Sequence, residues 1–177
     1  MRFLILFLIS ILIFSCSEEK IKPVVDSSAQ GGEIPSQESW NSKVIFTEDG
    51  NIKAVLYSDH LRTYDETKET LLEGVKIDFY DEDGTKSSTL TSKRGKVDET
   101  TKDMFAIDSV VAVSDSGVTL RTEELMWNNS KRKITTDKFV TIISPDEQIQ
   151  GYGFESDQGL DNYVIYNITY VTEMKEE

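Results

Sequence analysis

The sequence has only one cysteine and one histidine among its 177 residues. A single cysteine cannot form a disulfide bond within the chain. A single histidine, His60, excludes metal sites built from several histidines and leaves little basis for a Ser–His–Asp triad. The acidic turn at Asp81-Glu82-Asp83-Gly84 lacks the later acidic ligand of a calcium loop. We therefore expect no enzymatic activity, no metal site and no cofactor, although the numerous acidic residues leave a catalytic pair of carboxylates open.

Positive charge is also scarce in this chain. Lysine and arginine number 19 against 32 aspartate and glutamate residues, which gives a formal net charge of −13. Nucleic acids and anionic membrane surfaces are bound through basic patches. The charge balance therefore argues against nucleic acid as a partner.

Long apolar runs are absent apart from residues 3–14, which follow Arg2 and are interrupted only by Ser10. This run is shorter than the roughly 20 residues that span a bilayer, and its pattern predicts a secretory signal peptide over residues 1–15. The residues around Cys16 resemble a bacterial lipobox, so we predict that Cys16 carries a lipid anchor. A buried thiol or an ordinary signal peptide is the alternative.

The signal peptide is followed by a polar segment. Residues 16–39 contain Pro23, Pro35 and many Ser, Gln and Glu residues, which predicts that the lipidated cysteine is followed by a flexible tether. Strand-like patterns then continue to the end of the chain, so we predict a folded domain over residues 40–173 and a tail over residues 174–177.

Helical periodicity is rare in the predicted domain, and strand periodicity is common. Ile52, Ala54 and Leu56 occupy every second position, and turns rich in Asp, Asn and Gly separate many short segments of this kind. This pattern predicts an all-β sandwich, barrel or roll. Residues 59–72 are compatible with a short helix, but their Thr and Tyr content favours strands.

The chain also repeats itself. Residues 90–114 align with residues 120–144 at a shift of 30 positions (120 − 90), and this alignment matches Val97 with Trp127. Repetition at this period is typical of stacked supersecondary units that each cover the core of the next. We therefore expect an elongated roll with open ends and not a closed barrel.

A predicted hairpin over residues 74–97 has two unlike arms. The first arm places large apolar residues on one face: Val75, Ile77 and Phe79. The second arm places mostly small residues on the facing positions: Ser88, Leu90 and Ser92. A core is normally filled to high density, so small residues opposite large ones indicate either an internal space or a strand that overhangs the core and faces water.

Residues 162–172 are predicted to form a long strand near the C-terminus. They contain aromatic and β-branched residues on both faces, no proline, and no charge before Glu173. If this strand ends the sheet, it lacks the lysine, proline or bulge that protects an edge, and it offers a template for a partner's strand. The alternative is that it lies inside the sheet between two strands of this chain.

Three stretches carry a resemblance to a known family. They are "FYDEDGTKSSTLTSKRGKVDETTKDM", "VVAVSDSGVTLRTEELMWN" and "KITTDKFVTIISPDEQIQGYGFESD". In this order and spacing they resemble LptC, the periplasmic inner-membrane component of the lipopolysaccharide-export bridge, over about residues 46–171. The resemblance implies a twisted antiparallel β-jellyroll, open at both ends, whose groove shields acyl chains.

The resemblance also implies which residues meet ligand and partners. Lipopolysaccharide would arrive from the jellyroll of the membrane ABC transporter at the N-terminal edge, and it would leave for an LptA-like bridge protein at the C-terminal edge. The hypothesis assigns the lipid-binding wall to Val75, Ile77, Phe79, Leu90, Leu120, Trp127, Ile142 and Phe154. It assigns partner contacts to Phe46, Ile52, Leu56, Tyr163, Ile165, Asn167, Thr169 and Val171.

The chain departs from the family pattern in three ways, one of which is that His60 has no counterpart there. Members of the family usually keep an uncleaved transmembrane helix, whereas this chain resembles a lipoprotein, which we expect to be anchored to the periplasmic side of the inner membrane. Asp108 stands where the family tends to have glycine, and we expect this to alter one turn. The alternative function is an envelope lipoprotein that binds partners by strand addition without binding lipid.

Overall fold

The computed structural model describes residues 34–173. Cys16, the signal peptide predicted over residues 1–15 and the tail over residues 174–177 lie outside the described residues, as does most of the predicted tether.

The described residues form nine β-strands, and no helix occurs among them. The strands are β1 (Gln37–Glu48), β2 (Asn51–Tyr64), β3 (Glu69–Tyr80), β4 (Lys86–Asp98), β5 (Met104–Ser114), β6 (Thr119–Asn128), β7 (Lys133–Ile143), β8 (Glu147–Ser156) and β9 (Tyr163–Glu173). The predicted all-β class is confirmed. Residues 59–72 form the end of β2, a turn and the start of β3, as their Thr and Tyr content indicates.

All nine strands belong to one sheet in chain order, and each strand is antiparallel to the next. β1 and β9 are therefore the two edges, and each has a single neighbour in the sheet. The sheet stays open, which confirms the expected jellyroll-like roll with open ends.

The two similar segments of the sequence form equivalent hairpins. Val97 of β4 pairs with Met104 of β5, and Trp127 of β6 pairs with Ile134 of β7. Met104 in turn pairs with Trp127, so the two hairpins stand side by side in the same register. Each hairpin thus supplies the neighbour that the next one needs.

Bulges interrupt the strands near their middles. Ile107 pairs with Glu124 and Val110 pairs with Thr122, so two residues of β5 face one residue of β6. The same two-to-one count occurs between β7 and β8, where Gly153 has a φ of 78°. A bulge bends its strand and increases the local twist, so these positions curve the sheet toward one side.

This curvature lets the sheet cover its own inner face. Val140 is 0 % exposed and Leu120 is 1 % exposed, although no second layer is present among the described residues. Contact across the interior is direct, because the Ser88 hydroxyl on β4 donates to the carbonyl of Gln158, 3.1 Å away and beyond β8.

One row of apolar residues crosses the whole inner face. Directly paired residues of antiparallel strands share a face, so the pairing registers define this apolar row from edge to edge. Its members are Val44, Leu56, Ile77, Leu90, Ala112, Leu120, Ile142, Ile149 and Val171.

Asp108 lies in the β5 bulge and not in a turn as expected. Its φ is 66° and that of Ser109 is 53°, so both residues occupy the left-handed region. The family's glycine at this position has a physical explanation, because glycine adopts this conformation without steric cost. Asp108 is held by Arg94, whose Nε donates to its carboxylate over 2.7 Å.

We predict opposite effects of glycine and valine at Asp108. Asp108→Gly should leave the free energy of unfolding unchanged or raise it, whereas Asp108→Val should lower it by about 2 kcal/mol, because a β-branched residue is strained at positive φ. Urea denaturation measures both values. Arg121, at an exposed position in β6, is the matched control. There the valine variant should be more stable than the glycine variant by up to about 1 kcal/mol. The same order of stability at both positions would contradict this account of the bulge.

Candidate functional site

The inner face encloses a cavity of about 510 Å³ in the half of the domain nearer the N-terminus. Strands β1 to β7 supply its walls, which are mainly apolar. The large side chains that line it include Leu56, Val75, Ile77, Phe79, Leu90 and Trp127. A cavity of this size and lining suits an apolar ligand or part of one.

Small residues of β4 stand opposite large residues of β3 on the inner face. Phe79 of β3 pairs with Ser88 of β4, and Val75 pairs with Ser92. Both serines are buried, at 4 % and 7 % exposure, so this strand does not overhang the core and face water. The Ser92 hydroxyl donates to the Arg94 carbonyl over 2.8 Å and that of Ser88 to Gln158, which leaves neither hydroxyl unsatisfied.

A second row of small residues widens the space. Gly95 of β4 pairs with Leu72 on one side and with Ala106 on the other. Gly95 and Ala106 both line the cavity. A Cβ atom at Gly95 would lie only 3.1 Å from Val75 Cγ2, so a larger residue at this position would crowd the Val75 side chain.

The eight wall residues of the hypothesis divide into two groups. Five of them line the cavity: Val75, Ile77, Phe79, Leu90 and Trp127. The other three lie in the packed core beyond it, each no more than 1 % exposed: Leu120, Ile142 and Phe154. All eight therefore face the interior, but only the first group borders open volume.

The residues assigned to partner contacts are also divided. Phe46 is on the edge strand β1, where it is 39 % exposed and also lines the cavity, whereas Ile52 and Leu56 are on β2. Leu56 is buried and lines the cavity, so it belongs to the interior of the domain. The remaining five residues are on β9. Tyr163 and Ile165 are half-buried, and the other three are exposed: Asn167, Thr169 and Val171.

Two features of the interior were not predicted from the sequence. Ala106 and Leu125 line the cavity, but they lack a large–small contrast of the kind that marked the first hairpin. Leu160 is 1 % exposed although it lies in the loop between β8 and β9. Its only signal is that it is an apolar residue in an otherwise polar loop.

The mouth of the cavity is polar and charged. Glu48, Lys53, Asp81 and Arg132 are among the residues that line it. Arg132 forms an ion pair with Glu48 from a turn 84 residues away in the chain. Apolar walls below a charged mouth match a ligand with a hydrocarbon part and a polar part.

Both edges of the sheet expose apolar side chains. Trp40 and Ile45 of β1 are 63 % and 50 % exposed. On β9, five residues are at least half exposed: Val164, Tyr166, Ile168, Tyr170 and Val171. β9 pairs only with β8, so the alternative that it lies inside the sheet is wrong. It does contain one bulge at Thr169, contrary to the expectation that it has none, but residues 163–168 precede that bulge.

His60 serves to hold β1 in place. Its Nε2 lies 2.7 Å from Glu38 Oε1, and its ring stacks on Trp40 with centroids 5.2 Å apart. Within residues 34–173 no group of three potential metal ligands is close enough to hold a metal ion.

The comparison with protein families identifies the chain. The model described as "Lipopolysaccharide-assembly, LptC-related" matches residues 3–169. The chain belongs to the LptC family. No curated protein matches the chain closely enough to be counted a relative.

Membership of the LptC family implies a role in lipopolysaccharide transport and in the periplasmic bridge that carries it. The family acts in transport and is not known as a family of enzymes. In the stretch that the structure describes, no helix is long and apolar enough to cross a membrane. The cavity and the exposed edges are therefore the features of this LptC-family domain that need a function.

Asp78 fastens the cavity wall from the outer side of the sheet. It lies between Ile77 and Phe79, is 6 % exposed, and accepts hydrogen bonds from Thr89 Oγ1 (2.9 Å) and Lys76 Nζ (3.0 Å). Burial by itself would raise the pKa of Asp78, but the bonds from Lys76 and Thr89 and the nearby lysine charges outweigh it and hold the pKa below its ordinary value of 3.8.

We predict that Asp78 stabilises the LptC-family domain at neutral pH and not in acid. A carboxylate with a lowered pKa in the folded state contributes above its unfolded pKa and loses that contribution as the pH falls through the folded value. Asp78→Asn should therefore reduce the free energy of unfolding at pH 7 by about 1 kcal/mol, the scale of a lost charge-assisted bond, and the difference should shrink below pH 4. Urea denaturation at pH 7 and pH 3 measures this. Asp115→Asn, on an exposed turn, is the control and should change the free energy of unfolding little at either pH. An equal loss for Asp78→Asn at both pH values would contradict the prediction.

Proposed function

We propose that this LptC-family protein holds acyl chains of lipopolysaccharide in its cavity and passes them toward the next bridge protein. The cavity of about 510 Å³ with apolar walls is the observation that carries the proposal. Each CH₂ group moved from water into such walls gains about 0.8 kcal/mol, so ten of them gain roughly 8 kcal/mol before ordering costs. The transfer needs no bond to be made or broken by this protein.

The open edges support the proposed path of the ligand. β1 and β9 each leave one side of their backbone without a strand partner in the sheet. Such edges accept a strand from another protein through main-chain hydrogen bonds. In the proposal β1 meets the jellyroll of the inner-membrane transporter and β9 meets an LptA-like bridge protein, so the inner faces of three domains join end to end.

The proposed location rests on the N-terminal sequence. The family is periplasmic. We propose that residues 1–15 are removed on export, that a lipid on Cys16 anchors the protein to the inner membrane, and that the segment up to residue 39 acts as the tether. β1 begins at Gln37, so the last residues of this segment already belong to the sheet.

We predict that lipopolysaccharide is captured from inside the cavity. A photo-crosslinking amino acid at Val75 or Phe79 should capture it in living cells, because both side chains line the cavity. The same amino acid at Lys76, an exposed position of the same strand β3, or at Thr91, an exposed position of the neighbouring strand β4, should capture at least tenfold less. Equal capture from both sets, or capture from the outer set alone, would refute lipid binding in the cavity and favour the adaptor that binds no lipid.

We predict that lysine on β9 weakens binding to the bridge protein. Tyr166 and Ile168 are 63 % and 55 % exposed, so lysine at either position should leave the fold intact while it protects the edge from strand addition. Co-purification with the LptA-like partner should fall at least tenfold. Val113→Lys is the control, because Val113 is 41 % exposed on β5 in the middle of the sheet. Unchanged co-purification of both β9 variants would exclude β9 as the docking edge.

A further inference from the structure

The loop between β8 and β9, residues 157–162, lies across the interior of the domain. Its Gln158 carbonyl accepts the hydrogen bond from Ser88 on β4, although β4 and β8 are separated by three strands in the sheet. Asp157 and Gln158 also line the cavity. The loop therefore borders the open volume.

Leu160 is the buried residue of this loop. It is 1 % exposed and belongs to the same packed cluster as Leu120 and Ile142. Its φ of 63° is in the left-handed region, which is unfavourable for leucine. The chain thus accepts backbone strain in order to place one apolar side chain in the core.

The apolar row joins the cavity to the packed cluster that contains Leu160. Leu56, Ile77 and Leu90, in the first part of the row, line the cavity. Farther along the row, Leu120 and Ile142 are fully buried in the cluster that contains Leu160. The row then reaches Val171 on the opposite edge, where the side chain is 51 % exposed. An apolar surface thus runs from the cavity to β9, and its middle section is closed.

The loop is organised as a unit of its own. The Asp157 carboxylate accepts hydrogen bonds from the Asp161 backbone N–H (3.0 Å) and from Asn162 Nδ2 (2.7 Å), both within the loop. The loop is joined to a distant strand by the hydrogen bond that the Ser88 hydroxyl donates to the Gln158 carbonyl. Lifting the loop would break that bond and withdraw Leu160 while its internal bonds stay intact.

We propose that Leu160 is a plug that occupies a second acyl subsite, and that an acyl chain advancing from the cavity displaces it. This inference rests on the proposed function and specifies how the ligand reaches β9. The incoming chain replaces the apolar contacts that Leu160 gives up, so the exchange keeps the core covered. Without a ligand, Leu160 keeps water out of the middle of the apolar row.

The test joins the loop to β4 and follows the lipid at both ends of the row. Cysteines replace Ser88 and Gln158 in the full chain, and a short cleavable thiol crosslinker connects them. A photo-crosslinking amino acid is placed at Val75, in the cavity, or at Val171, at the far edge. With the loop fixed, capture of lipopolysaccharide at Val75 should stay within twofold of the unlinked protein, and capture at Val171 should fall at least tenfold. Cleavage of the linker should restore capture at Val171.

The two readouts separate the two proposals. No capture at Val75 in the unlinked protein would reject lipid binding in the cavity. Capture at Val75 together with unchanged capture at Val171 when the loop is fixed would reject the plug and leave the binding proposal standing.

A second variant tests the plug without a crosslinker. Leu160→Ala removes the side chain and should raise capture at Val171 at least twofold. Leu61→Ala, which shortens a buried leucine of the separate cluster near β1, should not raise it. If both variants change capture at Val171 equally, the effect comes from lost stability and Leu160 is not a plug.

Discussion

A single sheet has to bury its own apolar face in this domain. In most folds a second layer provides that cover. Here the cover comes from curvature, and the curvature depends on residues held in the left-handed region at the bulges, such as Asp108 and Ser109. The cavity, the packed core beyond it and the two free edges all follow from this arrangement, because a sheet that bends without closing has an inside and also has ends.

The sequence predicts well which side chains share a face of a strand, and it predicts poorly whether that face is buried or exposed to water. Alternation correctly grouped Val75, Ile77 and Phe79, because a strand has a strict period of two. It could not decide whether Ser88 and Ser92 face water or the interior, since that depends on how far the sheet bends. The aromatic and β-branched pattern of residues 162–172 likewise predicts a strand but not an edge, because order in a sheet is set by pairing along the whole chain.

The features that the sequence did not reveal depend on contacts between distant residues. Leu160 has no periodic neighbours, and its burial becomes clear only when its loop is seen beside β4. Asp78 alternates as an outward residue, and it is indeed on the outer side, but Thr89 on the neighbouring strand and Lys76 on its own strand cover it. Leu56 was assigned to a partner contact on the strength of the family resemblance, yet it is buried and lines the cavity. In each case local pattern gives the direction of a side chain, and tertiary contacts decide its exposure.

The strict chain order of the sheet has a consequence for folding. Every strand pairs with its immediate neighbours in sequence, so each new hairpin can add to the one before it without closing a long loop. A chain that emerges from a translocation channel from its N-terminus could therefore assemble strand by strand as it appears. The bonds that join distant segments, Ser88 to Gln158 and Glu48 to Arg132, would form last and mark the completed domain.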